Sequence, residues 1–395
     1  MKIAIVHNNY QQPGGEDVVV AEETRLLESH GHNVVSYRRS NHEFDDMSSA
    51  RKLIQITNVI HSRSSKNDIQ ALIRREKPDV VHVHNTFLMI SPSAYKACRD
   101  EGVPVVQTLH NYRLICPGAT LSRAGVVCEE CIHGNFWSGI RHGCYRNSSS
   151  MTSVVAAMLK FHQLQGTWKE SVDGYVALSE FARAKFMQGG LPADKIHVKP
   201  NFVGSDPGPK DGAGEFALFV GRLVPEKGAE VLLSAWKQLK NAPKLTIIGD
   251  GPSRNALQSQ IESVHLRNVQ IMPWMPRNEV IEAIKKARVL IVPSTWYEGF
   301  PMTIVEAFAC GTPVICSSLG AMQEIVSDEC TGLHFNPGDP LDLAEKVESL
   351  MGNPQRVAAM GHAARREFEE CYTSQKNYLS LMNIYERAIS AHSKN

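Results

Sequence analysis

Residues 298–306 read Glu298-Gly-Phe-Pro-Met-Thr-Ile-Val-Glu306, and they lie between two short apolar runs, Val289 to Val292 and Val314 to Cys316. Such runs are typical of buried strands, and the residues between them suit a loop followed by a helix that ends near Gly311. Strand, helix, strand is the order found in parallel α/β sheets. The stretch therefore predicts an α/β fold with two carboxylates around a helix start.

This helix start has the features of an anion site. Pro301 suits a first helical turn, so the free N–H groups near Phe300, Met302 and Thr303 would carry partial positive charge. Glu298 in the loop and Glu306 two turns along the helix would flank a bound phosphate and accept hydrogen bonds from hydroxyls. A nucleotide sugar has a diphosphate between two polyols and fits this description. The alternative is that both are ordinary surface carboxylates favoured by the helix dipole.

Composition excludes several classes of protein. The chain has 395 residues, enough for two domains, with 43% hydrophobic and 21% charged residues, as in soluble globular proteins. No apolar run approaches 18 residues, and the N-terminus opens into a strand without a secretory signal, so we expect a cytoplasmic protein. A formal net charge of +1 argues against nucleic acid as a partner.

Short apolar runs alternate with helical segments along both halves of the chain, which predicts two doubly wound parallel sheets. Residues 204–214 contain four Gly and two Pro, a linker composition that places the domain boundary there. We therefore predict an N-terminal domain over 1–203 and a second domain over 215–375. The predicted strands are Ile3 to His7, Val34 to Tyr37, Val80 to His84, Val105 to Leu109, Tyr175 to Leu178, Ile196 to Lys199, Phe216 to Val220, Leu245 to Ile248, Val269 to Met272, Val289 to Val292 and Val314 to Cys316.

Two further loops of the second half favour a phosphate ligand. Arg222 and Lys227 bracket a loop between a strand and a helix, where they could neutralise two phosphates, although a solvated basic loop has the same pattern. Gly249 and Gly251, in Gly-Asp-Gly-Pro252 after another strand, would let a ligand approach the backbone closely.

These motifs together resemble the family 4 glycosyltransferases. The pattern G-R-x-x-x-x-K-G from Gly221 to Gly228, then G-D-G-P, then E-G-F-P with a second Glu eight residues after the first, occur in the family's order and spacing. The resemblance covers residues 215 to 375. It implies the GT-B fold, two facing Rossmann-like doubly wound domains with a cleft between them, and a C-terminal helix, 376–395, that returns to the first domain.

The resemblance also implies roles for individual residues. Arg222 and Lys227 would hold the donor diphosphate, Glu298 the hydroxyls of the transferred sugar and Glu306 those of the ribose. The backbone of Gly299, Phe300, Pro301, Met302 and Thr303 would cradle phosphate, with Gly221, Gly249 and Gly251 nearby. No D-x-D motif is present in the sequence, so no catalytic metal and no other cofactor is implied.

In the N-terminal half the family's Gly-rich loop corresponds to Pro13-Gly-Gly-Glu16. Gly14 and Gly15 would let backbone N–H groups reach the donor phosphate or the acceptor, although a plain tight turn has the same sequence. His110, after a strand, matches the family position beside the reacting sugar. His82 and His84 are weaker candidates, because alternating histidines on a strand often line a sheet end.

The implied reaction moves a hexose or N-acetylhexosamine from a UDP- or GDP-sugar to a glycan or lipid-linked acceptor, with retention, in cell-surface polysaccharide biosynthesis such as that of lipopolysaccharide or capsule. The leaving diphosphate would take the acceptor proton, so the catalytic set is His110, Arg222, Lys227 and Glu298. We expect Lys227→Ala to lower turnover far more than stability. The alternatives are a nucleotide-sugar epimerase or hydrolase of the same architecture, and a non-catalytic sugar-nucleotide sensor.

Two segments of the first domain have open interpretations. Cys116, Cys128, Cys131 and Cys144 lie in a Cys-rich insertion, 116–146, which could hold a structural Zn²⁺, keep unbound thiols or shape the acceptor side. Residues 151–168 mix apolar residues with Lys160 and His162, so they could lie on the inner membrane as an amphipathic helix or pack inside the domain.

Overall fold

The computed structural model describes residues 1–11 and 14–393, and the chain divides into two compact units. The first contains Met1–Leu121, Cys128–Gly204 and the chain from Gln375 onward. The second contains Ser122–Val127 and Ser205–Ser374. Each unit is built on its own parallel sheet, as the alternation of apolar runs and helices predicts.

The first unit has a six-stranded parallel sheet of order β2-β1-β3-β4-β7-β8. Its inner strands are buried on both faces, which explains their continuous Val- and Ile-rich sequences. A short antiparallel hairpin, β5 and β6, follows β4 in the chain, but its residues group with the second unit. In chain order the strands are β1 (Lys2–Asn9), β2 (Asn33–Ser40), β3 (Val80–Asn85), β4 (Val105–Leu109), β5 (Ser122–Arg123), β6 (Val126–Val127), β7 (Gly174–Ala177) and β8 (Ile196–Val198).

Helices connect these strands. They are α1 (Gly15–Ser29), α2 (His42–Asp45), α3 (Ser49–Asn58), α4 (Arg63–Glu76), α5 (Ser93–Asp100), α6 (Trp137–Arg141), α7 (Ser149–Leu164), α8 (Thr167–Glu170) and α9 (Glu180–Gln188), with a 3₁₀ turn at Ala193–Lys195.

The second unit has a six-stranded parallel sheet of order β11-β10-β9-β12-β13-β14. Its strands are β9 (Phe216–Val220), β10 (Leu245–Ile248), β11 (Val269–Met272), β12 (Ala287–Val292), β13 (Val314–Ser317) and β14 (Gly332–Phe335). The helices are α10 (Ala229–Gln238), α11 (Arg254–Ser263), α12 (Arg277–Lys286), α13 (Met302–Ala309), α14 (Ala321–Ile325), α15 (Pro340–Met351) and α16 (Pro354–Cys371), with a 3₁₀ turn at Pro225–Lys227. This is the strand order of the Rossmann fold.

The last helix, α17 (Ser374–His392), belongs to the core of the first unit. Its buried residues Leu381, Ile384, Tyr385 and Ala388 pack in one cluster with Ile3, Ile5, Val80 and Val106 from three neighbouring strands. Tyr385 also shares a hydrogen bond of 2.7 Å with His82 Nδ1. The first unit is therefore completed by the end of the described chain.

The predicted linker, 204–214, is anchored on the second unit. Lys210 donates to the carbonyl of Ala287 at 2.7 Å through Nζ and to that of Cys310 at 2.8 Å through its backbone N–H. Asp206 forms a two-pronged ion pair with Arg365. These contacts explain why residues 205–214 group with the second unit instead of connecting the units freely.

The segment 151–168 is divided between α7 and α8. One face of α7, with Thr152, Val155, Leu159 and His162, is buried, so this helix packs inside its unit. Within the described ranges, none of the helices combines the length and the apolar composition that crossing a bilayer requires.

Candidate functional site

The strand order of the second unit places two predicted loops side by side. β9 and β12 are neighbours, although two strands separate them in sequence, so the chain reverses its direction of winding between them. Loops that follow the strands at such a switch point form a ligand-binding crevice. Arg222 and Lys227 come from the loop after β9, and Glu298 comes from the loop after β12.

Lys227 and Glu298 meet directly. Lys227 Nζ donates to both carboxylate oxygens of Glu298, at 2.8 and 3.0 Å, and Ser294 Oγ donates to one of them at 2.6 Å. Lys227 Nζ also lies 5.8 Å from the ring centre of Trp296. Ser294 and Trp296 were not predicted from the sequence. Their position could have indicated them, because both have hydrogen-bonding side chains in the loop that follows a buried strand.

The Glu298 carboxylate is held in its ionised form. Its residue is only 5% exposed, and burial by itself would raise the pKa, but the charge of Lys227 and the hydrogen bonds from Lys227 and Ser294 outweigh it, so the pKa is lowered. A buried, ionised carboxylate can accept hydrogen bonds from ligand hydroxyls.

The start of α13 offers backbone donors beside this pair. Pro301 is the N-cap and not the first helical residue, because its ψ of 94° is extended, and this corrects the predicted helix start by one position. Ile304 N–H donates to Pro301 O at 3.0 Å. The N–H groups of Gly299, Phe300, Met302 and Thr303 have no acceptor within residues 1–11 and 14–393. They can therefore bind an anion.

Glu306 is paired with a residue that sequence reasoning missed. Arg277 Nε, at the start of α12, donates to Glu306 Oε1 at 2.9 Å. Burial raises the pKa of Glu306, and the Arg277 charge opposes this rise only in part. No short-range sequence pattern indicates this ion pair, because 29 residues separate Arg277 from Glu306.

The glycines of the loop after β10 serve a close backbone approach within the unit. A Cβ on Gly249 would lie 1.9 Å from Gly221 O, and a Cβ on Gly251 would lie 2.5 Å from Leu223 O. Leu223 N–H in turn donates to Asp250 O at 2.8 Å. These glycines let the loops after β9 and β10 stack closely, so internal packing requires Gly at both positions.

Arg222 is the exposed cation of this site. Its side chain is open to solvent, and no acidic residue of the described chain pairs with it. Lys227, in contrast, is already paired. The Arg222 guanidinium is therefore still able to pair with an anion that approaches this loop.

In the first unit the switch point lies between β1 and β3. Gly14 is the N-cap of α1 and Gly15 is its first residue, whereas the predicted loop residue Pro13 lies outside the described residues. Asp17 accepts a hydrogen bond from Gly14 N–H at 2.9 Å and contacts His7 Nε2 at 2.8 Å. The protein's own carboxylate thus uses one of the N–H groups predicted for a ligand.

His110 directly follows β4 and is joined to the neighbouring strand β3. His84 Nδ1 lies 3.0 Å from His110 Nε2, and the two rings stack with centres 5.3 Å apart. Burial, reinforced by nearby imidazoles, lowers the pKa of both well below the ordinary value, so both rings are neutral near pH 7. His82 bonds instead to Tyr385 and Thr108, and burial lowers its pKa to about 3.

Polar residues around His110 extend this cluster beyond the predicted set. Asn111 Nδ2 donates to Tyr10 OH at 3.1 Å. Glu16 lies in the first turn of α1 with its side chain only 9% exposed, and this desolvation raises its pKa to about 8, so it is mostly protonated at neutral pH. The guanidinium of Arg113 lies 4.5 Å from the ring centre of Phe87.

None of the four cysteines of the insertion is in a disulfide within the described chain; Cys116 and Cys131 are buried, and Cys128 and Cys144 are partly exposed. Burial raises the pKa of Cys131 to about 11. Across the residues that the structure describes, no three His, Cys, Asp or Glu side chains are grouped so that they could hold a metal ion. The structural zinc site stays a prediction from the sequence.

Comparison with known proteins assigns the class. The family model "Glycosyltransferase Family 4" matches residues 13–206, and the model "Glycosyl transferases group 1" matches residues 205–367. The chain belongs to the group 1, family 4 glycosyltransferases and is a glycosyltransferase enzyme.

Individual relatives are similar at lower identity. An uncharacterised glycosyltransferase of Methanocaldococcus jannaschii is 33% identical over 176 residues, which cover 45% of this chain and 49%, about half, of that protein. A D-inositol 3-phosphate glycosyltransferase of Xylanimonas cellulosilytica is 25% identical over 90% of this chain and 88% of that protein. The structure of Anabaena HepE in complex with UDP superposes with a TM-score of 0.68, at 18% identity, over 97% of this chain and 99% of that one. The fold is therefore GT-B, as predicted.

Proposed function

We propose that the loops after β9 and β12, with the start of α13, bind the diphosphate of a nucleotide-sugar donor. The observation that carries this proposal is the set of four unpartnered N–H groups at Gly299, Phe300, Met302 and Thr303 beside the Lys227–Glu298 pair. These backbone N–H groups, Lys227 and the exposed Arg222 together could bind and neutralise the two phosphates of the donor. The ionised Glu298 would accept hydrogen bonds from hydroxyls of the sugar, and Glu306 from those of the ribose.

A uridine nucleotide is the first donor to test. The Anabaena HepE structure, similar in fold, was solved with UDP, which makes a UDP-sugar the leading choice for this chain and a GDP-sugar the second. The transferred group would be a hexose or N-acetylhexosamine.

The transfer would proceed with retention at the anomeric carbon. The bond from that carbon to the diphosphate oxygen breaks, the acceptor oxygen bonds to the same face, and its proton passes to the departing phosphate oxygen. Arg222, Lys227 and the N–H groups of α13 would stabilise the charge that develops on the diphosphate. The neutral His110 would hydrogen-bond to a hydroxyl of the sugar or acceptor.

A lipid-linked glycan is the proposed acceptor, with peripheral contact at a membrane. This proposal rests on an exposed apolar surface of the first unit, the α6–α7 surface, made by Trp137, 69% exposed, and Leu164, 76% exposed. Gly134, just before α6, packs against Gln163 near the end of α7, so the two helices present these side chains from neighbouring positions. Lys160 and Arg141 on the same helices are exposed cations, which suits an anionic lipid surface.

Nucleotide binding is tested by thermal unfolding of the purified protein with UDP, GDP, ADP and their sugars. A ligand that binds only the native state raises the midpoint, and one nucleotide is expected to do so selectively. Arg222→Ala should reduce this rise, whereas Arg267→Ala, an exposed arginine before β11 at the opposite edge of the sheet, should leave it unchanged. Equal responses of both variants would contradict the assigned site.

Product analysis separates transfer from the alternatives. Incubation of the selected nucleotide sugar with a lipid-linked glycan should give a new glycoside whose anomeric configuration matches the donor. A rearranged nucleotide sugar or free sugar as the only product would instead indicate an epimerase or hydrolase. Binding without turnover under every acceptor tested would indicate a sensor.

A further inference from the structure

The histidine pair at the ends of β3 and β4 has a defined hydrogen-bonding state. His84 Nδ1 and His110 Nε2 are 3.0 Å apart, and both rings are neutral near pH 7. Two neutral imidazoles can share only one proton across this contact, so one ring donates and the other accepts. The tautomer of His110 is therefore set by His84.

The remaining nitrogen of His84 decides between the two directions. His84 Nε2 is buried and has no hydrogen-bond partner in the described chain. If His110 donated, His84 would carry its own proton on this buried nitrogen and leave an N–H unpaired. If His84 donates through Nδ1, only a lone pair is left there, and unsatisfied buried acceptors are better tolerated than unsatisfied N–H groups.

A small cavity next to the pair fits the same direction. It has a volume of about 40 Å³ and is lined by His84, His110, Gln107 and Thr108 among others. Gln107 Oε1 is, like His84 Nε2, a buried acceptor without a partner in the described residues. The volume suffices for a water molecule. When His84 Nε2 carries a lone pair, such a water can donate one proton to it and the other to Gln107 Oε1, whereas a protonated Nε2 would leave one of the water protons without an acceptor among these two groups.

We propose that His84 is a positioning residue that donates from Nδ1 to His110 Nε2 and thereby fixes His110 as the Nδ1–H tautomer. His110 Nδ1 has no hydrogen-bonding partner in the described residues, so it is the atom left to donate to a ligand oxygen. The inference rests on the proposed function, because the ligand oxygen is taken to be a hydroxyl of the sugar or its acceptor.

Nitrogen-15 NMR of the histidine side chains tests the tautomer without any ligand. At pH 7 the unmodified protein should show His110, assigned by comparison with His110→Gln, protonated on Nδ1 alone. Protonation on Nε2, or a doubly protonated ring, would overturn the proposal. This measurement needs no nucleotide sugar. If the protein turned over no nucleotide sugar, the proposed function would be wrong, and the spectrum would still show which tautomer His110 adopts.

Kinetics tests the consequence. In His84→Leu, His110 should populate both tautomers. The kcat for UDP release from the selected UDP-sugar should fall by about 10–100-fold, because the Nδ1–H group of His110 is no longer fixed toward the ligand oxygen. The thermal shift with UDP should stay unchanged. In His84→Gln the amide N–H can replace the lost donor, so it should keep the single tautomer and most of the rate.

His162→Gln is the matched control, since His162 is a buried histidine of the same unit whose ring contacts Thr167 and Ile60 instead. It should lower stability without a change in kcat or in the His110 spectrum. A folded His84→Leu variant with unchanged kcat and a single His110 tautomer would overturn the proposal. If His84→Leu does not fold, the spectrum of the unmodified protein and the His84→Gln variant decide it.

Discussion

At the scale of single residues, the Lys227–Glu298 pair connects stability to catalysis. Lys227→Ala should reduce turnover by roughly 100-fold, because it removes a charge proposed to act on the leaving diphosphate. It should also lower the free energy of unfolding by about 1–3 kcal/mol, because it leaves the buried Glu298 carboxylate without its charged partner. From the sequence alone we expect turnover to fall far more than stability, whereas the ion pair with Glu298 adds a measurable loss of stability.

Steady-state kinetics and urea unfolding measure these two effects. Lys237→Ala, an exposed lysine of α10, is the control and should change neither. The double variant Lys227→Met with Glu298→Gln should regain part of the stability, because it no longer buries an unpaired charge. It should regain none of the turnover. An unchanged rate for Lys227→Ala would contradict the assigned role.

The raised pKa of Glu16 gives a second prediction at this scale. Its pKa is about 8 in the folded protein against an ordinary value of 4.5, so the folded state binds more protons between these values. Stability from this residue is full below about pH 4.5 and is lost as the pH rises through about 8, by up to about 5 kcal/mol. Glu16→Gln should remove this loss. Urea unfolding at pH 5 to 9 checks it, and parallel curves for both proteins would contradict it.

At the scale of elements, α17 holds the first sheet through buried side chains. Leu381→Ala should lower the free energy of unfolding by about 2–4 kcal/mol, because Leu381 is fully buried and its loss leaves a cavity. Leu379→Ala is the control on the same helix. Leu379 is 55% exposed, so its truncation should change stability by less than about 0.5 kcal/mol. Equal losses would show that the helix is not docked as described.

The same scale shows what sequence reasoning can reach. Four predicted strands, among them Phe216–Val220 and Leu245–Ile248, have the observed bounds, because short runs rich in apolar residues mark the strands of a parallel sheet. β14 (Gly332–Phe335) was missed, since a glycine and a histidine interrupt its apolar pattern. The loop motifs assign Lys227 and Glu298 to one predicted site, and the structure brings these two side chains into contact. The contacts of Arg277 with Glu306 and of His84 with His110 join distant segments, which periodicity does not encode.

At the scale of the whole molecule, the two units differ in how the chain completes them. The second is nearly contiguous, so a fragment of residues 205–374 should melt cooperatively and show a midpoint rise with the selected nucleotide. Residues 1–204 alone lack α17 and should not melt cooperatively. Joining them to residues 375–393 through a Gly/Ser linker should restore the transition. Circular dichroism against temperature checks both, and a cooperative transition for 1–204 by itself would contradict the prediction.

The position of α17 has a consequence for biosynthesis. The ribosome adds the 170 residues from 205 to 374 after the strands of the first sheet and before the helix that covers them. At the usual pace of translation this takes roughly 10 to 30 s, during which Ile3, Ile5 and Val80 have no α17 to pack against. The core of the nascent first unit therefore stays incomplete during this time, and its exposed apolar side chains can bind chaperones. The second unit is synthesised later but can finish folding first.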